Sequence, residues 1–217
     1  VGHTNIGAGR VVSMDLGQID LEIENGSFYK NSAILEFVQS VKSSQGVAHV
    51  IGLLSDGGVH GHIDHLLASL KIFSKEKVGI ALHLITDGRD VAPISALKYA
   101  DKLLKEMPRN VEIKDGDGIF CLNFRSDRAR EILSAIGDPS FGSFSIVDRP
   151  KLSSLLGMVE YSKQHNKFME TCYPKEIRRN TLGEWVSKNG RTQFRVAETE
   201  KYPHVTFFLN GGKELPF

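Results

Sequence analysis

An α/β fold, with a mixed but mainly parallel sheet and helices on both faces in three layers, is predicted by three observations. Between Val47 and Ile136, an apolar run, a Gly- or Asp-rich turn and a stretch of apolar residues at helical spacing follow one another three times. The chain has 217 residues, 41% of them hydrophobic and 24% charged, which is an ordinary globular balance able to bury a sizeable core. No internal repeat, low-complexity tract or long linker interrupts the pattern.

Taken in order, Ile34, Phe37, Val38 and Val41 mark an amphipathic helix ending near Gly46. The run Val47–Leu54 reads as a strand that ends in Ser55-Asp56-Gly57-Gly58, and Ile63, Leu66, Leu67, Leu70 and Phe73 then recur at helical spacing. Gly79–Thr86 is the second strand and Asp87-Gly88-Arg89-Asp90 its turn, with Pro93 suited to the first turn of a helix carrying Leu97, Ala100, Leu104 and Met107. Gly118–Phe124 is the third strand and runs into a helix with Ala129, Ile132, Leu133 and Ile136. Leu155–Tyr161 reads as a strand, and Thr181 with Glu184 forms a capping box for a short helix stopped by Gly190. Phe194–Ala197 and Val205–Leu209 read as strands. Ligands of open α/β sheets sit beyond the carboxyl ends of the strands, so the three turns after the first three strands are expected to converge.

A formal net charge of +1 provides no global field for nucleic acid or an anionic membrane, so any anion site must be a local cluster. Cys121 and Cys172 read as buried free thiols of a reducing compartment. No apolar run approaches the ~20 residues that span a bilayer, and the opening Val1-Gly2-His3 lacks both an initiator Met and the regions of a signal peptide. These features point to the cytoplasm and to a sequence that begins inside a longer protein.

The segment Asn123-Phe124-Arg125-Ser126-Asp127-Arg128-Ala129-Arg130 packs guanidinium groups and a carboxylate into a strand-to-helix turn. Arg125 and Arg128 share one side there, beside the free N–H groups of a helix N-terminus, which suits a phosphate or carboxylate. A solvated basic helix start is the competing reading, although cations at that end oppose the helix dipole and call for an anion. Arg89 and Asp90 bring a guanidinium and a candidate proton acceptor to a second strand end, or form a plain surface pair. His60-Gly61-His62-Ile63-Asp64-His65 has the H-x-H-x-D-H pattern of the metallo-β-lactamase fold, so a metal-dependent hydrolase is the alternative function; a histidine-rich helix start explains it equally well.

Five segments in order resemble the cofactor-independent phosphoglycerate mutase family over nearly the whole chain. They are Val1 to Arg10, Ser55 to His60, Asp87 to Asp90, Asn123 to Arg128, and Ala197 to Phe208. The resemblance implies an enzyme that interconverts 3-phosphoglycerate and 2-phosphoglycerate through a phosphoserine. It implies a phosphatase-like domain with two Mn²⁺ or Mg²⁺ ions and a second domain that holds the glycerate. It assigns substrate contacts to His60, Arg89, Asp90, Arg125, Arg128 and Lys201, with Asp90 as acid/base for the glycerate hydroxyl. The nucleophilic Ser and the metal ligands of the family fall outside this sequence, as does a segment with two further arginines expected near 107–111. Residues 14–175 are thus expected to form the substrate-binding domain, with 1–13 and 176–217 as hinges and edges of the phosphatase-like domain. The fragment is expected to bind phosphoglycerate, to hold no metal and to be inactive alone. No nucleic acid or membrane partner is expected, and the parent family is usually monomeric.

Overall fold

The computed structural model describes residues 2–103, 112–146, 148–175, 178–213 and 215–217, with the backbone alone for 100–103. The helices and strands are α1 (Gly2–Ala8), α2 (Asp15–Glu24), α3 (Ser32–Ser43), β1 (Val47–Leu54), α4 (Ile63–Lys75), β2 (Gly79–Thr86), α5 (Ala96–Leu103), β3 (Gly118–Cys121), α6 (Ser126–Gly137), β4 (Ser154–Val159), β5 (Glu170–Tyr173) and α7 (Leu182–Lys188). They fall into two compact units, Asp15–Pro174 and a smaller one formed by Val1–Met14 with Lys175–Phe217.

The larger unit is built on a five-stranded sheet in the order β2-β1-β3-β4-β5. Every described pairing is parallel, so the antiparallel admixture expected from the sequence is absent among the described residues. Parallel strands joined by crossover helices are covered on both faces, which is why β3 is buried along its whole length. The side chains show the two layers. A β-carbon on Gly118 would lie 2.5 Å from Val41 and 2.8 Å from Phe37, so this face of β3 sits directly under α3. Phe120, two residues on, shares that face, and its ring packs 5.9 Å from Phe37 and 6.4 Å from Phe73 of α4. Ile119 points the other way and is in register with Leu155, against which Gly137 of α6 packs too closely to carry any β-carbon.

Local chemistry explains where the elements start. Asn31 caps α3, its Oδ1 accepting the Ile34 N–H at 3.3 Å, while its Nδ2 donates to the Cys172 carbonyl at 3.2 Å and ties the cap to β5. Both cysteines are free and buried, and burial pushes the Cys121 thiol up.

Several boundaries differ from expectation. Pro93 precedes α5 rather than opening it, because Ile94 at φ 72° breaks the helical path before Ala96. Leu104 and Met107 lie outside the described residues, as does the break expected near 107–111. β3 stops at Cys121, well short of Phe124, and β4 ends at Val159 rather than Tyr161. α2 and β5 carry apolar signals too short to stand out: Ile19 is the only buried residue of α2, and β5 has four residues.

In the smaller unit, Thr181 occupies the N-cap of α7 without a side-chain bond. Glu184 reaches past it to accept the Asn180 N–H at 2.8 Å, so the capping box is displaced by one residue. Phe194–Ala197 is irregular and His204–Phe208 forms a turn of π-helix, because neither segment meets a strand to pair with among the described residues. No described helix is long and apolar enough to cross a membrane.

Lys188, whose Nζ is 2.8 Å from Glu184, is the main cause that holds the Glu184 carboxyl down to about 2; the Asn180 N–H and Lys213 add to it against some desolvation. A carboxyl whose pKa is lower folded than unfolded stabilises the fold above the unfolded value, and the effect is lost as pH falls through about 2. Trp185, the single tryptophan of the chain, is the adjacent reporter. Glu184→Gln is expected to flatten the acid limb of an unfolding titration followed by Trp185 fluorescence; superimposable limbs for the two proteins would refute the assignment.

Candidate functional site

The sheet order reverses direction between β1 and β3: from β1 the chain crosses to β2 on one side and then returns to β3 on the other. A crevice opens at the carboxyl ends of strands at such a switch point. The three loops that follow β1, β2 and β3 meet there.

The loop after β1 is shaped by Ser55, which is fully buried and whose Oγ accepts the Gly57 N–H at 3.0 Å. Gly58 has φ +66°, a left-handed conformation that favours glycine, and a β-carbon there would crowd the end of the Leu16 side chain of α2 at 2.9 Å. The loop after β2 is an Asx turn in which Asp87 Oδ1 accepts the N–H groups of Arg89 at 2.9 Å and Asp90 at 3.0 Å. Burial alone pushes the Asp87 carboxyl up, but the Ser55 hydroxyl and the N–H groups of Arg89, Asp90 and Gly88 outweigh it, and the net shift is downward. The carboxylate therefore stays charged and keeps the turn closed.

These turns bring His60 and Asp90 together across 30 residues of sequence, with His60 Nδ1 2.7 Å from Asp90 Oδ2. Their side chains are 19% and 13% exposed, so the pair is sheltered yet reachable. A carboxylate can only accept, so the shared proton belongs to Nδ1, and Nε2 remains for another partner. The surface pair between Arg89 and Asp90 allowed by the sequence does not form, because Asp90 turns to His60 instead. The loop after β3 joins them through its backbone: the Phe124 N–H donates to the His60 carbonyl at 2.9 Å and the Arg125 N–H to the same oxygen at 3.5 Å.

Arg125 is the N-cap of α6, and its Nε lies 3.1 Å from Asp127 Oδ2 in an exposed pair worth under ~1 kcal/mol. The Arg128 N–H is the leading influence that lowers the Asp127 carboxyl, desolvation opposes it, and the charges of Arg125, His60 and Arg128 lower it further. The guanidinium groups of Arg89 and Arg128 are exposed and have no hydrogen-bond or ion-pair partner among the described residues. Of the residues selected from the sequence, His60, Asp90 and the Arg125 turn are joined by direct bonds, with Arg89 beside Asp90 in the loop after β2 and Arg128 in the first turn of α6. Lys201 belongs to the smaller unit, where its Nζ lies 3.8 Å from Glu198 and 4.0 Å from Glu200.

The H-x-H-x-D-H run does not converge. His60 turns to Asp90, His62 Nδ1 accepts the Asp64 N–H at 3.2 Å as the cap of α4, and His65 Nε2 pairs with Asp20 at 2.8 Å from a fully buried position. Burial, the largest influence, lowers the His65 pKa against the pull of Asp20. No grouping of His, Cys, Asp and Glu among the described residues fits a metal ion. His83 of β2 is half-buried and sits 2.8 Å from His49, which in turn pairs with Asp117 at 3.1 Å. A cavity of about 500 Å³ lies at the opposite ends of the strands, among Phe37, Arg149 and Phe168. None of His60, Arg89, Asp90, Arg125 and Arg128 lines it.

The family model described as the BPG-independent PGAM N-terminus matches residues 19–112 and 107–163. Among curated proteins, the 2,3-bisphosphoglycerate-independent phosphoglycerate mutase of Ruegeria sp. (strain TM1040) is 49% identical over 282 residues, covering 100% of this chain and 56% of that protein. The protein of the same description from Paracoccus denitrificans (strain Pd 1222) is 46% identical over 281 residues, covering 100% of this chain and 55% of its own length. The chain thus spans about half the length of the curated relatives it matches, and the matched spans are longer than the chain itself. A crystal structure of Leishmania mexicana phosphoglycerate mutase at low cobalt concentration shares the fold, with a TM-score of 0.74 at 24% identity over 98% of this chain and 53% of that one.

Proposed function

The chain belongs to the cofactor-independent phosphoglycerate mutase family, and from that premise we propose that its larger unit holds and reorients the glycerate of 3-phosphoglycerate and 2-phosphoglycerate in a complete enzyme. The observation that carries this reading is the junction of three loops at the switch point, where His60 bonds to Asp90 and the Arg125 turn bonds to His60. A phosphoglycerate carries a phosphate and a carboxylate, and the arginines that follow β2 and β3 match that charge, two of them without an internal partner among the described residues. Asp90 is the proposed acid/base: with Oδ2 engaged by His60, its other oxygen can take the proton of a glycerate hydroxyl.

Transfer of the phosphoryl group would use a serine and two divalent ions, manganese or magnesium, held in the part of the relatives that this chain does not span. The described residues do not fit such ions. The division of the chain after Met14 and after Pro174 supports residues 14–175 as the substrate-binding domain, with the flanking segments as parts of the phosphatase-like domain. Phe194 and Val196, 90% and 78% exposed, support a smaller unit completed by further chain. The overlapping family matches at 107–112, together with matched spans longer than the chain, support a segment absent near 107–111. A glycolytic, cytoplasmic setting follows from this reading and agrees with the two free thiols.

Calorimetry of the chain with 3-phosphoglycerate is expected to give a saturable heat, and a coupled enolase assay with Mn²⁺ is expected to give no turnover. Absence of the heat would overturn the binding role; turnover would overturn the division of labour.

A further inference from the structure

We propose that Asn123 and Tyr161 are positioning residues that open the switch point by ending the β1–β3 ladder and anchoring the turn that carries Arg125 and Arg128. The inference rests on the phosphoglycerate reading for its ligand, but its structural part stands on bonds within the larger unit.

The parallel ladder between β1 and β3 runs regularly to the pair Ile51 and Cys121, and the Leu122 N–H still donates to the Ile51 carbonyl at 2.8 Å. The next donor on β1, the Leu53 N–H, would ordinarily take a backbone carbonyl of the neighbouring strand. It donates instead to the side-chain Oδ1 of Asn123 at 3.0 Å, across 70 residues of sequence. A side chain therefore replaces a ladder carbonyl, and the backbone beyond Leu122 is released from β1 without leaving the part-buried Leu53 N–H unpaired.

The released backbone has a second anchor. The Tyr161 hydroxyl donates to the Asn123 carbonyl at 2.6 Å, with the Cys121 carbonyl farther away at 3.4 Å. Tyr161 is 1% exposed, and a β-carbon on Gly157 would lie 2.5 Å from its ring, so glycine in β4 makes the seat for this tyrosine. With Asn123 gripped from both sides, the following two N–H groups, of Phe124 and Arg125, reach the His60 carbonyl. Gly61 completes the fit, since a β-carbon there would lie 3.1 Å from Asn123 Oδ1 and 3.4 Å from Leu53. One asparagine thus sets both the exit of β3 and the position of the His60 loop.

The test uses the full chain and four proteins: unmodified, Asn123→Ala, Asn123→Asp, which keeps the acceptor oxygen, and Tyr161→Phe, which keeps the ring. Residue-resolved amide exchange is expected to speed up at least tenfold at Leu53, Phe124 and Arg125 in Asn123→Ala. At Leu53 it is expected to return towards the unmodified rate in Asn123→Asp. Tyr161→Phe is expected to speed Phe124 and Arg125 while exchange in the middle of β1 stays unchanged. With 3-phosphoglycerate as the probe, Asn123→Ala and Tyr161→Phe are expected to weaken binding at least fivefold, and to add no further loss when Arg125 and Arg128 are already alanine. Unchanged exchange at Phe124 and Arg125 in both variants overturns the proposal. So does a loss of binding that simply adds to the arginine effect, because residues acting through the arginines must be non-additive with them. If the unmodified chain gives no heat with 3-phosphoglycerate, the phosphoglycerate reading falls, and the exchange rates alone decide whether Asn123 and Tyr161 hold the turn.

Discussion

Replacing Arg125 and Arg128 together by alanine is expected to weaken 3-phosphoglycerate binding by a hundredfold or more, on the order of 3 kcal/mol, while leaving the thermal midpoint nearly unchanged. Each guanidinium that meets an anion contributes a charge-assisted hydrogen bond of ~1.5–3 kcal/mol, and tenfold in affinity corresponds to ~1.4 kcal/mol. Folding loses little, because Arg128 has no partner among the described residues and Arg125 forms only an exposed pair with Asp127. The substitutions also remove two cations from the positive end of α6, which offsets part of any cost to the helix. Calorimetry on the single and double variants checks the result. Heats indistinguishable from those of the unmodified chain would remove the arginines from the site; an even loss from any surface arginine would point to bulk charge instead.

The second large effect concerns the core under the site. Phe120→Ala is expected to destabilise the larger unit by ~3–5 kcal/mol, a sizeable part of the ~5–15 kcal/mol typical of a domain. Phe120 is fully buried in the central strand β3 and packs against Phe37 of α3 and Phe73 of α4, so its removal leaves a cavity bounded by two helices. Strand and helices are held by the same cluster, so relaxation into the cavity is limited. Urea unfolding followed by circular dichroism should show a lower midpoint with an unchanged slope. A loss below ~1 kcal/mol would mean that Phe120 does not centre this core.

The strands that position the site were legible because their signals are local. β1 and β2 run over the residues predicted for them, and α4 begins at the predicted Ile63. Each is a long apolar run or a helical repeat bounded by Gly and Asp turns, and neither signal needs a distant partner. β5 was not legible, because Glu170–Tyr173 becomes a strand only by lying beside β4. The reverse error at Phe194–Ala197 and Val205–Leu209 has the same origin: strand-like composition makes no strand where no neighbour is at hand.

For the candidate site, the sequence by itself determined the residue types and the loops that carry them, His60, Arg89, Asp90, Arg125 and Arg128 at three strand ends. Tertiary structure alone decided which groups bond: Asp90 to His60 rather than to Arg89, and the three histidines of the H-x-H-x-D-H run to three separate partners. It alone revealed Asn123 and Tyr161 as the residues that end the ladder, through bonds spanning 70 and 38 positions. Turn and helix preferences act over a few residues and are written in the local sequence. A hydrogen bond between strand ends depends on sheet order and register, which exist only once the distant segments have packed.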